Sequence, residues 1–278
     1  EVILFENVKG FTIKFKNSND TSKRAYSEII LEELNRLGYF DAIGKIINLH
    51  EYGLPQKRQR FLVIASLSGK APHILETLEA SAGAFLEERG LSRTSNVQEA
   101  LSDLEYHHGV TTCPDSTNFL SGIAAASQTS LQDYLRLEGP DNYIPDSHRF
   151  VNHTDEISDI FQGLLRDAPR NKRLYGDECK KYGVKKRNVT ILSKYEPSLT
   201  ITTIPDDFVH YSEPRVMTVR ECARLQSFPD WYEFKGPYTT GGKRRRLQTP
   251  RYTQVGNAVP PLFAEQLGLA IKRVLSDD

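Results

Sequence analysis

After Glu1 the chain reads Val2-Ile3-Leu4-Phe5-Glu6-Asn7-Val8-Lys9-Gly10-Phe11. The apolar run at residues 2–5 predicts a short buried strand, and Gly10 predicts a turn behind it. Glu6 and Asn7 are therefore expected at the carboxyl end of that strand. Because ligands bind at the carboxyl ends of the strands in an open α/β sheet, Glu6 is a candidate for acid chemistry. A glutamate that only caps a turn would give the same local pattern.

The following residues predict more of the same sheet. Thr21 and Ser22 are good N-cap residues for a helix that Gly38 ends. The apolar face of that helix consists of Tyr26, Ile30, Leu34 and Leu37. Apolar residues at 43–47 and 61–65 predict two further strands. The order strand, helix, strand, strand indicates the later part of an α/β sheet.

A polar stretch, Gln56-Lys57-Arg58-Gln59-Arg60, precedes the run at 61–65. In an extended backbone, Arg58 and Arg60 lie on the same side because side chains alternate. Guanidinium groups suit phosphates and carbonyl oxygens. The two arginines are therefore candidate site residues, although surface arginines at the start of a strand would look alike.

Composition limits the class of protein. The 278 residues suffice for two modest domains, and 36 Lys and Arg balance 36 Asp and Glu. A neutral total still permits a basic face. Three cysteines without paired spacing argue against a disulfide framework and against a metal site, and they suit a reducing compartment. Neither a membrane-spanning run nor a signal peptide is evident. The chain starts inside an apolar run and Met217 is its one methionine, so we expect a natural start to be missing.

Residues 66–215 are more polar and irregular, although Ser95 with Gln98 predicts a capping box. Basic clusters at 180–187 and 243–246 are candidates for contact with a phosphate backbone, or are simply solvated surfaces. The β-favouring run Thr200-Ile201-Thr202-Thr203 offers hydroxyl groups that could contact DNA.

The carboxyl-terminal part predicts two helices. Thr218 and Glu221 form a capping box for a short helix that Pro229 should end. Its expected inward residues are Val219, Cys222, Ala223 and Leu225. Pro260 or Pro261 fits the first turn of a last helix. The apolar face of this last helix should pack on the sheet through Phe263, Leu267, Ile271 and Val274.

Four of these motifs, in this order along the chain, resemble the C5-cytosine DNA methyltransferases. The motifs are Glu6-Asn7-Val8, Gln56-x-Arg58-x-Arg60, Thr218 to Gln226 with Pro229-Asp230, and Gln254-Val255-Gly256-Asn257-Ala258-Val259. The resemblance implies an α/β fold, the later part of a Rossmann-like methyltransferase sheet plus a smaller, mixed and irregular target-recognition domain. It assigns residues 1–66 and 250–278 to the catalytic domain and 67–249 to the recognition domain, with a supporting helix near 218–228.

The same resemblance implies transfer of a methyl group from S-adenosylmethionine to C5 of a flipped cytosine in double-stranded DNA. Glu6 would contact ring N3, Asn7 would hold its loop, Arg60 would contact O2, and Arg58 would support the site or contact a phosphate. Asn257, Ala258 and Val259 would help close the cofactor pocket. The candidate DNA contacts are Gln56, Thr200, Thr202, Lys185, Lys186, Arg187, Lys243, Arg244 and Arg245.

The chain departs from the family pattern at its start. It lacks the cofactor loop and the Pro-Cys nucleophile motif that precede the Glu-Asn-Val strand in this family. Cys113, Cys179 and Cys222 are not credible replacements for the nucleophile. We therefore expect a missing amino-terminal part, in the same gene product or in a separate chain, and an inactive chain without it.

Three readings stay open. The chain is part of a bacterial restriction-modification methyltransferase, located in the cytoplasm at the nucleoid. Alternatively, it is the non-catalytic DNA-recognition subunit of a split methyltransferase, or a degenerate relative that only binds DNA. An RNA-directed relative fits less well, because the long variable region suits DNA sequence reading better.

Overall fold

This computed structural model describes residues 1–14, 24–137, 140–203, 207–238 and 248–276. The strands in these ranges are β1 (Val2–Val8), β2 (Ile43–Asn48), β3 (Gln56–Lys57), β4 (Gln59–Ser66), β5 (Val110–Thr112), β6 (Leu120–Gly122), β7 (Arg173–Tyr175), β8 (Asn188–Ile191), β9 (Ser198–Leu199) and β10 (Phe208–Val209). The helices are α1 (Tyr26–Arg36), α2 (Ala71–Glu88), α3 (Val97–Leu101), α4 (Ser130–Arg136), α5 (Asp155–Asp167), α6 (Asp177–Lys181), α7 (Val219–Leu225), α8 (Arg251–Asn257) and α9 (Pro261–Ser276). In this part of the chain, no helix is long and apolar enough to cross a membrane.

The main sheet has the order β1-β4-β2, with β4 antiparallel to both neighbours. The pairing of β1 with β4 continues to the partners Val8 and Arg60. Glu6 is therefore within β1, opposite Leu62, and not after the strand as the sequence pattern predicted. The ladder of backbone hydrogen bonds carries the strand beyond its apolar residues.

β4 is buried on both faces, which explains its unbroken apolar run. Phe61, Val63 and Ala65 pack in one cluster with residues of α1. Leu62 and Ile64 belong to the larger core on the opposite face, which contains residues of α2 and α9. Helices thus cover both faces of the sheet.

Two helices, α9 and α2, lie beside the main sheet, and the sequence predicted the first of them. α9 begins at Pro261, as expected, and buries Phe263, Leu267 and Val274. α2 packs against β4 and α9, although the sequence-based division placed residues 67–249 in the recognition domain. The 18 residues of α2 therefore belong to the layer beside the sheet.

A second, smaller core lies in the middle of the chain. It is built from α5, β7, α6 and β8, with Leu164, Leu174, Cys179, Val189 and Ile191 at its centre. We call residues 155–191, with β10 paired beside β8, the small lobe. Its separate core is consistent with a recognition unit added to the sheet.

Helix starts show where local sequence signals are precise. Thr218 Oγ1 accepts the backbone N–H of Glu221, so the capping box of α7 is confirmed. α7 ends at Leu225, before Pro229, and all of its residues are buried. The cap of α3 is Asn96 with Glu99, one position after the expected pair. The N-cap expected for α1, Thr21 and Ser22, lies outside the described residues.

Candidate active site

Glu6 and Arg60 form an ion pair at the end of the β1–β4 ladder. The pairing register places their side chains on the same face of the sheet, and Arg60 Nε lies 2.6 Å from Glu6 Oε1. The side chain of Arg60 is 10% exposed and that of Glu6 is 23% exposed, so Glu6 is the more accessible member of the pair. Burial lowers the pKa of Arg60 and the neighbouring Glu6 raises it. A guanidinium group remains protonated under such conditions, so a cation stands beside an acid.

Asn7 lies on the opposite face of β1 from Glu6, because successive side chains alternate. Its Oδ1 accepts the backbone N–H of Val8 at 2.8 Å. This bond restrains the end of β1, and the expected role of Asn7 in holding the segment stays a prediction.

Arg58 is fully buried, and its guanidinium group contacts backbone carbonyls. Nη1 donates to Ile201 O at 3.2 Å, and Nη2 donates to Gly256 O at 2.9 Å and Ala258 O at 3.1 Å. Burial, reinforced by the charge of Arg60, lowers the pKa of Arg58 to about 9. Of the two roles expected for Arg58, this arrangement matches support of the site, since a phosphate contact requires an exposed guanidinium group.

Gln56, expected to contact DNA, is fully buried. Its Nε2 donates to Leu225 O at 3.1 Å, and its Oε1 accepts the N–H of Ile201 at 3.0 Å. The pairing of β3 with β9 covers it. Both ends of the side-chain amide are used inside the protein, so this structure gives Gln56 a different role from the predicted one.

The threonines at 200 and 202 lie in the segment that follows β9. Thr200 Oγ1 donates to Lys57 O at 2.7 Å. The backbone carbonyl of Thr202 is so close to Gly256 that a Cβ there would lie 2.4 Å from it. Their contact with DNA stays a prediction, and the geometry shows a segment closely packed against the strand end and α8.

Asn257, Ala258 and Val259 leave the end of α8. Arg58 holds the carbonyls of Gly256 and Ala258 on the inner side, while Asn257 and Val259 are exposed. A segment with a fixed backbone and outward side chains fits one wall of a cofactor pocket. Its role in cofactor binding stays a prediction.

The basic cluster of the small lobe is exposed. Lys185, Lys186 and Arg187 line a shallow depression of about 670 Å³. Its other lining residues are Tyr175, Gly176, Lys180, Gly183 and Val184. We call this depression the basic groove. The second cluster, Lys243, Arg244 and Arg245, lies outside the described residues.

The three cysteines of the chain are all buried. Burial raises the pKa of each thiol, and it raises that of Cys222 well above the usual value. Because the thiolate is the reactive form, these side chains are poor nucleophiles at neutral pH.

Two features were not found from the sequence. Lys57 and Gln59 are exposed, and Lys9 Nζ donates to Gln59 Oε1 at 3.1 Å, which gives a polar surface next to the strand end. Because side chains alternate along a strand, the burial of Arg58 and Arg60 implies that Lys57 and Gln59 are exposed, and this was the sequence signal for the polar surface.

Glu105, His107 and Glu213 also lie together in a way that could hold a metal ion. However, Arg215 Nε donates to Glu213 Oε2 at 2.6 Å, and this charge disfavours a cation there.

Comparisons with known proteins agree with the motif order. The profile of the family described as C-5 cytosine-specific DNA methylase matches residues 1–273. The type II methyltransferase M.DdeI of Desulfomicrobium norvegicum is 29% identical over 274 residues, covering 95% of this chain and 61% of the relative. M.AplI of Arthrospira platensis is 29% identical over 278 residues, covering 100% of this chain and 58% of the relative.

The fold has a similar counterpart among solved structures. A crystal structure described as a DNA modification methyltransferase encoded within a prophage (E. coli) matches with a TM-score of 0.59 and 19% identity, over 99% of this chain and 70% of that one.

The chain spans about 60% of the length of the two curated relatives. The methyl donor of the matching family is S-adenosylmethionine. The expected family and α/β fold class are confirmed, and the chain belongs to the C-5 cytosine-specific DNA methylase family.

Proposed function

We propose that this chain takes part in methylation of C5 of cytosine in double-stranded DNA. The observation that carries the proposal is the ion pair between Glu6 and Arg60, in which the side chain of Glu6 is partly exposed. Cytosine is a poor electrophile, and attack at C6 places negative charge on the ring. An acid at N3 and a cation at O2 relieve that charge. In this proposal Glu6 faces N3 and Arg60 faces O2.

The target base must leave the DNA stack to reach this pair, which costs a few kcal/mol. We propose that the residues of the recognition domain and the basic groove hold the DNA while the base is flipped. Asn257 to Val259 would contact S-adenosylmethionine, which supplies the methyl group. The attacking thiolate would come from outside these 278 residues, since the three cysteines present are buried.

A second candidate function is that of a DNA-recognition subunit in a split methyltransferase. The open edge of β1 favours it: in the described part of the chain, β1 pairs with β4 and with no other strand. Leu4 and Val8 on β1 are 47% and 53% exposed. An unpaired strand edge with apolar neighbours can bind a further strand. That strand could belong to the same gene product or to a separate chain.

The test is methyl transfer from labelled S-adenosylmethionine to cytosine-containing duplex DNA. We expect transfer by the product of the complete gene and none by the present chain alone. Glu6→Gln in the complete product should lower kcat by about 10²–10⁴-fold, the usual contribution of an acid or base, with DNA binding retained. Glu51→Gln, at an exposed position in the turn before β3, is the matched control.

Each result decides between the readings. Transfer by this chain alone would contradict the argument from the buried cysteines. An unchanged kcat for Glu6→Gln would remove Glu6 from the chemistry. DNA binding without transfer by the complete product, restored by a second chain that carries a Pro-Cys motif, would establish the split enzyme.

The basic groove offers a separate test of DNA contact. Replacing Lys186 and Arg187 by glutamate should weaken DNA binding and make it less dependent on salt, by about one unit of slope for each lost phosphate contact. Arg166→Glu is the control, because Arg166 lies in a second depression beside Glu156, Asp159 and Asp167. Unchanged affinity of the double variant at low salt would exclude the groove from the DNA interface.

A further inference from the structure

Ile201 has both of its backbone polar groups held by buried side chains from one short stretch. Its N–H donates to Gln56 Oε1 at 3.0 Å, and its carbonyl accepts from Arg58 Nη1 at 3.2 Å. Gln56, Arg58 and Ile201 are all at most 1% exposed. We call these three residues the Ile201 clamp. A buried peptide group that is bonded at both ends has a well-defined position.

The other ends of the clamp reach two further elements. Gln56 Nε2 donates to Leu225 O at the end of α7. Arg58 Nη2 donates to Gly256 O and Ala258 O at the end of α8. The clamp therefore joins the segment around Ile201 to the carboxyl-terminal ends of α7 and α8, and the end of α8 leads into the expected cofactor segment.

The segment around Ile201 is the connection between two strands of the small lobe. It leaves β8 after Ile191, pairs with β3 through β9, and returns to β10 at Phe208. β8 and β10 pair with each other, so the segment is a loop that extends from the lobe. The small lobe is thus attached to the strand end two residues from Arg60.

We propose that Gln56 and Arg58 are positioning residues. They hold the loop of the small lobe at a fixed distance from Glu6 and Arg60, so that DNA bound at the lobe presents its target base to that pair. The inference rests on the proposed methylation of cytosine. It replaces the expected roles of Gln56 in DNA contact and of Arg58 in phosphate contact.

If Gln56 and Arg58 act in this way, their variants should lower kcat while DNA binding stays nearly unchanged. Loosening the clamp leaves the DNA-binding surface of the lobe intact but lets the base shift relative to the catalytic pair. Small misplacements of reacting groups lower rates strongly, by up to about 10²-fold for 1 Å. We therefore expect Gln56→Leu and Arg58→Lys to lower kcat by about 10–100-fold, with less than about a threefold change in KM for DNA.

The experiment uses the product of the complete gene, with kcat and KM measured for each variant below its own Tm. The matched control is Arg220→Lys. Arg220 is also fully buried and donates to the carbonyls of Asp146, Pro229 and Tyr232. It also pairs with the carboxylates of Asp146 and Asp230, so Arg220→Lys disturbs at least as many buried contacts, all of them away from Ile201. A kcat loss in the clamp variants that Arg220→Lys does not share supports positioning. Equal kcat loss in all three at equal loss of Tm would mean a purely structural role.

A second measurement separates this inference from the proposed function. Amide hydrogen exchange at residues 200–203, measured on the same protein, should be faster in Gln56→Leu than in wild type and in Arg220→Lys. If wild-type protein transfers no methyl group, the proposed function fails, and faster exchange still supports the clamp as the anchor of the lobe. Unchanged exchange overturns the clamp whatever the activity. Gln56→Leu removes no charge, so it remains informative if Arg58→Lys does not fold.

Discussion

The strand end around Arg58 and the region around α7 both bury arginines, but they satisfy them differently. Arg58 donates to backbone carbonyls of separate segments. Around α7, Arg215 pairs with Glu221 at 2.6 Å, and Arg224 pairs with Asp103 at 2.5 Å and Asp230 at 2.6 Å. The first arrangement joins segments of backbone, and the second neutralises buried charge.

This difference has opposite effects on the groups involved. Burial lowers the pKa of Arg58 to about 9. Around α7 burial opposes ionisation too, but the opposite charges outweigh it: Glu221 and Glu213 raise the pKa of Arg215, and Arg215 lowers the pKa of Glu221. Loss of one partner around α7 should therefore leave an unpaired buried charge, whereas changes at the strand end should mainly affect backbone fit.

The largest expected effect follows from removing the charge of Glu221. Glu221→Gln leaves the buried guanidinium group of Arg215 without the counter-charge of a fully buried carboxylate, and breaking a buried pair costs about 3–5 kcal/mol. Urea denaturation of wild type and variant at pH 7 measures the loss. Glu213→Gln is the matched control, because Glu213 pairs with the same Arg215 but is 15% exposed. Equal losses for the two variants would show that burial does not decide the strength of these pairs.

The α7 region also predicts a loss of stability in acid. Burial lowers the pKa of His148 to about 4 and that of His210 to about 3, with the charge of Arg215 acting in the same direction and that of Glu221 in the opposite one. Below about pH 6.5 the histidines are protonated in the unfolded state but stay neutral in the folded state. The free energy of unfolding therefore falls as the pH drops from about 6.5 to 4. The contribution of His148 is roughly 3 kcal/mol, at 1.36 kcal/mol per unit.

Urea midpoints at pH 7, 5.5 and 4.5 measure this slope. His148→Gln should flatten it, since an amide can still donate to Leu104 O and accept from Thr218 without titrating. Exposed His73→Gln should leave the slope unchanged. An unaltered slope in His148→Gln would assign the acid sensitivity to His210 or to the carboxylates around α7.

The sequence predicted those parts of the fold that local patterns determine. The cap of α7 is set by Thr218 and Glu221, and the start of α9 by its prolines, so both were found correctly. The end of β1 was placed too early because the pairing of Glu6 with Leu62 comes from the partner strand, not from residues near Glu6. The position of α2 beside the sheet was not evident from local patterns, because α9, which packs against it, is distant in sequence.

The candidate site shows the same limit. The motif order brought Glu6, Arg58 and Arg60 together as candidates, and the structure pairs Glu6 with Arg60. The role of Gln56 could not be read from its neighbours, because its partners Ile201 and Leu225 come from 145 and 169 residues further along the chain. A polar side chain looks the same in sequence whether it contacts DNA or a buried peptide group.

The smallest predicted effect tests backbone fit at the strand end. In Gly256→Ala, the new Cβ would lie 2.4 Å from Thr202 O and 2.8 Å from Thr203 N, and both are backbone atoms. Relieving this overlap shifts α8 or the segment beside it, at a cost of about 1–3 kcal/mol.

Gly268→Ala in α9 is the control, because nothing lies within 4 Å of its added Cβ. There alanine should raise stability by about 0.5–1 kcal/mol through its higher helix propensity. If Gly256→Ala is also stabilising, the strand end tolerates movement, and the rigid attachment expected from the Ile201 clamp is absent.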